Sequence, residues 1–191
     1  MTTKKKNLSY QASPVPSAAD MSFGIVVAEW NPEVTHALLD GALERLRQSG
    51  CPEDNISVKW VPGSFELALG AHFFTEYTNV DAVIVLGCVV QGETRHFDFL
   101  CQGVTQGIIE LQLSTGLPIV FGVLTTLTME QAMERAGGQH GNKGDEAAAT
   151  AIKMVSLQNQ MYRDRVIDFD KDSDSADDFI LPTFLPTTLN N

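Results

Sequence analysis

Residues 92–96 read Gly-Glu-Thr-Arg-His, directly after an apolar run that begins at Ala82 and ends at Val90. A glycine lets the backbone approach a ligand closely. A threonine hydroxyl and the free N–H groups of a starting helix can hold an anion. An imidazole changes charge near neutral pH, which suits proton transfer. Gly92, Thr94 and His96 therefore fit a phosphate grip with an acid–base group beside it. The same residues also describe a capped helix with an exposed histidine, and Gly-x-Thr-x-His is too short to choose between the two.

Three more stretches could do chemistry. In VPGSFE (61–66) a Pro-Gly turn sets Ser64, Phe65 and Glu66 at a helix start. Free amides there bind carbonyls or anions, Phe65 offers a flat face, and Glu66 can accept hydrogen bonds from hydroxyls. Ordinary capping, with an acid favoured by the helix dipole, explains the pattern as well. Trp30-Asn31 stands at a strand exit, where an indole either stacks on a planar heterocycle or covers the core. ERAGGQHGNKGDE (134–146) carries Arg135 and Lys143 among four glycines. Two cations on flexible backbone suit a phosphorylated substrate. The GxxxxGK[ST] spacing is absent, and a glycine-rich connector is the plain alternative.

The elements that position these residues follow from periodicity. FGIVVAEW (23–30), 55–64, 81–90 and 117–126 read as strands. The run 81–90 is nearly unbroken, as in a parallel strand covered on both faces. Between them, 32–50, 64–78 and 94–114 read as helices, followed by a short helix at 129–138 and a long one at 144–162. Asn31 is placed to cap the first helix, Pro32 suits its first turn, and Gly50 its end. Strands alternating with helices predict a three-layer α/β/α sandwich with a four-stranded parallel, flavodoxin-like sheet. Ligands in such sheets bind beyond the carboxyl ends of the strands. That edge collects EWN, PGSFE, GETRH and TTLTMEQ. Residues 1–20 read as an N-terminal arm, 21–162 as the domain, and 163–191 as an acidic C-terminal tail.

Composition narrows the class. The chain has 191 residues, 43% of them apolar, and a formal charge of −11. That balance predicts a soluble globular protein and argues against nucleic-acid binding. Much of the charge lies in DRVIDFDKDSDSADDF (164–179), so it says little about a site; FILPTFLP (179–186) is an apolar patch within the tail. Cys51, Cys88 and Cys101 form no CxxC pair, which argues against a disulfide framework or a zinc site. No run is long enough to span a bilayer, and MTTKKKNLSYQ lacks an apolar signal core, so the expected location is the cytoplasm. His36 and His72 fall within helices, and no internal repeat is present. An aromatic plate, a phosphate grip, one histidine and no metal set or cofactor fingerprint point to acid–base chemistry. Its reactants would be a flat polar molecule and a small phosphate ester.

The series EWN, VPGSFELALGA, LGCVVQGETRHFDF, PIVFGVLTT and ERAGGQHGNKGDEAA resembles the 6,7-dimethyl-8-ribityllumazine synthase family, in order, from about Phe23 to Leu157. The resemblance implies a cofactor-free transferase of riboflavin biosynthesis. It would condense 5-amino-6-(D-ribitylamino)uracil with 3,4-dihydroxy-2-butanone 4-phosphate. It further implies that Trp30 stacks on the pyrimidine and that Asn31, Ser64, Phe65 and Glu66 hold the ribityl chain and ring. Cys88, Val89 and Val90 would line the ring site through their backbone, with Phe121 packed over the ring. Glu93, Thr94 and Arg135 would bind phosphate, His96 would be the general acid–base, and Lys143 a nearby cation. Phe121, Arg135 and Lys143 would come from a neighbouring subunit of a homo-oligomer, either a pentamer or a pentamer-based icosahedral shell. The arm would be available to add to a neighbour, and riboflavin synthase is a candidate partner. The short AGGQHGNKG connector resembles that of shell formers. Two positions depart from the family: Trp30, where phenylalanine is frequent, and Cys88, where threonine is common. Rival readings are a catalytically reduced flavin- or lumazine-binding protein, which would not need His96 and Arg135, a shell-forming paralogue acting as a structural shell or cargo container, and a flavodoxin-type electron carrier. The carrier would want a phosphate loop where EWNPE stands.

Overall fold

A strand with no polar face must be covered on both sides, and two strands here are of that kind. All six residues of β1 (Phe23–Ala28) are buried, as are the first eight of β3 (Ala82–Val90). In the computed structural model, which describes residues 14–172 and side chains as far as Arg165, they form the centre of a parallel sheet. With β2 (Ile56–Val61) and β4 (Ile119–Thr126) at the edges, the order is β2-β1-β3-β4. The expected three-layer architecture is the one observed. Phe23, Ile25, Val27, Ile84 and Leu86 face α1 (Pro32–Gln48) and the start of α5 (Lys143–Asp172). Val26, Ala28, Val83, Val85 and Val123 face α2 (Leu67–Tyr77) and α3 (His96–Thr115).

The chain leaves β1 for β2 on one side and resumes at β3 on the other. Connections therefore diverge between β1 and β3, and a crevice opens at their carboxyl ends. The four segments expected at that edge, EWN, PGSFE, GETRH and TTLTMEQ, follow the carboxyl ends of their strands.

The glycine-rich segment 134–146 is the main difference from expectation. The helix predicted over 129–138 stops at Met133 (α4, Met129–Met133), and Ala136–Gly138 (β5) pairs antiparallel with Gly141–Asn142 (β6). Gly137 and Gly141 take φ of 120° and 75°, backbone that glycine adopts freely and a helix cannot use. The hairpin delivers Asn142 to the start of α5. Its Oδ1 accepts the N–H of Gly144 at 2.8 Å, and its Nδ2 donates to the Ala37 carbonyl of α1 at 2.7 Å. One side chain thus caps α5 and ties it to α1.

Gly144 completes this junction. A Cβ there would lie 1.8 Å from the Leu38 carbonyl oxygen, a backbone atom that cannot rotate away. Gly144→Ala is therefore expected to destabilise by about 3 kcal/mol and to lower the melting temperature by about 10 °C. Gly92→Ala, where a Cβ meets nothing within 4 Å, is the control and should melt with the wild type. Equal melting of Gly144→Ala would show that α1 and α5 can separate freely.

Smaller corrections concern ends. α5 continues past 162 to Asp172, since no glycine or proline interrupts residues 145–172 and Gln, Met, Arg and Lys sustain helix. Ser64 does not cap α2; Ser64–Glu66 form a separate 3₁₀ turn. Asn31 occupies the N-cap position of α1 without a side-chain cap bond. Residues 14–20 of the expected arm lie within the first unit, where the Ala18 N–H donates to the Ser49 carbonyl at 2.8 Å. The rest of that arm (1–13), tail residues 173–191 and the patch 179–186 lie outside the described residues. The chain divides into units 1–157 and 158–191; the described part of the second is the continuation of α5. No helix among the described residues is long and apolar enough to cross a membrane.

Candidate active site

The crevice between β1 and β3 is a cleft of about 500 Å³. Four local decisions build it. The β1–α1 turn presents Trp30 and Asn31. The 3₁₀ turn after β2 presents Ser64, Phe65 and Glu66. The end of β3 supplies Cys88, Val89 and Val90, and the entry to α3 supplies Thr94 and His96.

Exposed aromatics frame this cleft. Trp30 is 72% exposed and Phe65 64%, although either ring would gain from burial. Opposite them, His96 opens α3 as its first residue. Its backbone N–H donates to Thr94 Oγ1 at 3.4 Å, and its imidazole makes no hydrogen bond among the described residues. Gly92 leaves open space, which suits a ligand reaching the helix start. On the floor, Ser64 Oγ is buried and has no hydrogen-bond partner. A buried hydroxyl of that kind costs free energy until something meets it. Burial, with a smaller push from the Glu33 carboxylate, raises the Cys88 thiol to about 11. At neutral pH it is an uncharged wall, not a nucleophile.

Three expected site residues are elsewhere. Phe121, Arg135 and Lys143 line a separate groove of about 790 Å³ between α3 and α5, across the edge strand β4. The β5–β6 hairpin brings its two cations together, for the Lys143 N–H donates to the Arg135 carbonyl at 2.9 Å. Arg135 Nη1 donates to the Gln131 carbonyl at 2.8 Å. Lys143 Nζ pairs with Glu146 Oε2 at 2.6 Å, leaving Glu146 Oε1 buried without a hydrogen-bond partner. Sequence reasoning missed Glu146. Its position three residues after Lys143 on a helix was the available signal. Glu93 is exposed and lines neither cleft nor groove.

One surface thus carries two exposed aromatic rings, polar side chains and an imidazole, and another carries an aromatic ring and two cations. Among the described residues, no group of three or more His, Cys, Asp or Glu is arranged as a metal set.

Comparison with known proteins gives a consistent result. The family model described as 6,7-dimethyl-8-ribityllumazine synthase matches residues 20–159. A protein of that description from Parabacteroides distasonis is 58% identical over 158 residues, covering 82% of this chain and 99% of the relative. Its counterpart from Cytophaga hutchinsonii is 55% identical over 156 residues, covering 82% and 98%. That from Porphyromonas gingivalis is 54% identical over 159 residues, covering 83% and 99%.

Proposed function

The chain belongs to the 6,7-dimethyl-8-ribityllumazine synthase family, and on that premise we propose that its cleft and its groove are two halves of one active site, joined between neighbouring copies. The reaction is the condensation of 5-amino-6-(D-ribitylamino)uracil with 3,4-dihydroxy-2-butanone 4-phosphate. It yields 6,7-dimethyl-8-ribityllumazine, phosphate and water, the penultimate step of riboflavin biosynthesis. One observation carries the composite site: His96 and the Arg135–Lys143 pair line different concavities of the same chain. A second copy whose groove faced the first copy's cleft would unite them.

In that arrangement the pyrimidine stacks on Trp30, with Phe121 of the neighbour over its other side. The backbone of Cys88, Val89 and Val90 borders the ring. Asn31, Ser64, Phe65 and Glu66 receive the ribityl hydroxyls and ring polar groups. The phosphate sits at the start of α3, on Thr94 and the N–H of Glu93 and against the neighbour's Arg135, with Lys143 as a nearby cation. His96 moves protons through imine formation, phosphate elimination, ring closure and dehydration. One imidazole can serve these steps in turn, and holding two reactants side by side supplies much of the rate. No cofactor enters this scheme. Its direct test mixes the protein with both substrates and follows lumazine absorbance. Acceleration over the spontaneous condensation is expected, and its absence in an intact oligomer would sink the reading.

The assembly belongs to the same proposal. Of the twenty residues of α3 only Val104 and Ile108 are buried, while Phe99, Ile109 and Leu113 are 64, 51 and 77% exposed. Apolar side chains on one such helix suit burial against another copy. We assign a pentamer, or a pentamer-based icosahedral shell favoured by the short β5–β6 connector. Light scattering and negative-stain images separate the two. A cytoplasmic location and supply of product to riboflavin synthase complete the reading.

Trp30 adds a measurable property. An indole offers more stacking surface than a phenyl ring, so Trp30→Phe should weaken riboflavin binding about fivefold, read by fluorescence titration. Equal affinities would remove any flavin-retaining role for the indole.

A further inference from the structure

Between β1 and β3 the ladder stops before the longer strand does. Its last pair is Val27 with Leu86, whereas β3 continues to Val90 and stays paired with β4 that far. The Cys88 carbonyl lies beyond the end of the β1 ladder. It receives a side-chain donor: Asn31 Nδ2, at 2.9 Å. A carbonyl only accepts, so this pairing fixes which way the amide points.

Asn31 is also the only non-glycine with positive φ among the described residues, at φ 59° and ψ 56°. Asparagine enters this left-handed region more readily than most side chains. Its own carbonyl accepts the N–H groups of Val34 at 2.9 Å and Thr35 at 3.0 Å, starting α1. The residue is thus clamped to α1 through its backbone and to β3 through its side chain, across the mouth of the crevice. Trp30 immediately precedes it and is largely exposed, with little packing to hold its indole. The edge of the indole lies over Gly63, where an added Cβ would come 3.5 Å from Trp30 Cδ1.

We infer that Asn31 is a positioning residue: its left-handed backbone and its tether to the Cys88 carbonyl set the crevice width and the pose of Trp30, and so determine affinity for the planar heterocyclic substrate. The inference rests on the assignment of Trp30 to the pyrimidine. With Nδ2 committed to protein, only Oδ1 remains to meet the ligand, as an acceptor. Asn31 then contributes to ring binding chiefly through Trp30 and the β3 backbone, and leaves the proton transfers to His96.

The test uses the full chain with Trp60→Phe, which makes Trp30 its sole tryptophan. Asn31→Gly keeps the left-handed backbone and deletes the tether. Asn31→Asp keeps size and replaces the donor with an acceptor facing the carbonyl. In both, Trp30 fluorescence anisotropy without ligand should fall. The KM for the pyrimidine should rise about fivefold, with kcat and the KM for the phosphate substrate within about twofold. Wild-type anisotropy in Asn31→Gly would overturn the inference even with a raised KM, which loss of a direct contact also produces, as would a wild-type pyrimidine KM or a loss confined to kcat or to the phosphate substrate. Should Asn31→Gly not fold, by circular dichroism and oligomer size, Asn31→Asp decides by the same readings. Failure of the unsubstituted protein to make lumazine would instead count against the functional reading, while the anisotropy still decides the tether.

Discussion

Joining the two surfaces in trans should restore a reaction that neither damaged parent performs. On the proposed reading Arg135 holds the leaving phosphate, so Arg135→Ala is expected to lower kcat by about 10²-fold or more. His96→Ala removes the proposed proton carrier from the other surface. Co-produced at equal levels under separate affinity tags, the two variants would assemble together. About a quarter of head-to-tail contacts between copies would then pair an intact His96 with an intact Arg135. Activity should therefore recover to about a quarter of wild type, well above either parent. This expectation follows from the separation of the cleft from the groove holding Arg135 and Lys143. A mixed assembly no more active than its parents would mean that each chain closes its own site by a rearrangement the fold does not display.

The second large effect belongs to His96→Ala alone. A positioned acid–base group contributes about 10²- to 10⁴-fold, whereas proximity of two bound reactants survives its loss. The expected outcome is a fall in kcat of about 10²-fold with both KM values nearly unchanged, measured after subtracting the spontaneous condensation. His96 is exposed at the first position of α3, so alanine should leave folding intact, and an unchanged melting temperature is the control. Acceleration undiminished in the variant would reassign His96 to positioning and leave the proton transfers to solvent or another group. A fall in affinity for the phosphate substrate alone would make it an anion ligand.

Much of this was legible in the chain itself. The run 82–90 has no polar side, so it needed cover on both faces, and cover came from the amphipathic helices between the strands. A parallel sheet with its loops at the carboxyl edge followed. That places Trp30, the Ser64–Glu66 turn and the Gly92–His96 turn at one edge. These inferences depend on burial and local propensity, which act over a few residues and leave a period behind.

The helix expected over 129–138 failed for a local reason as well. Ala132 supports a helical stripe, but Gly137 needs a φ that helices exclude. No period carries that requirement. Residues 134–146 looked like one more phosphate loop, and only the hairpin, with Asn142 locked to Ala37 of α1, turned Arg135 and Lys143 away from the cleft. Asn31 resembled an ordinary helix cap, which is what asparagine before a helix usually is.

Fold class and three of the four segments expected at the carboxyl edge were therefore determined by the sequence alone, because periodic burial and turn chemistry are written locally, whereas the strand order came from the tertiary structure. That Arg135 and Lys143 serve a neighbouring copy was implied by the family resemblance, whereas the hairpin that carries them into the groove and the use of the Asn31 amide as a strap were decided only by the tertiary structure. The strap joins atoms 57 residues apart. It depends on where the β1 ladder ends against β3, and register between distant strands leaves no local trace in either of them.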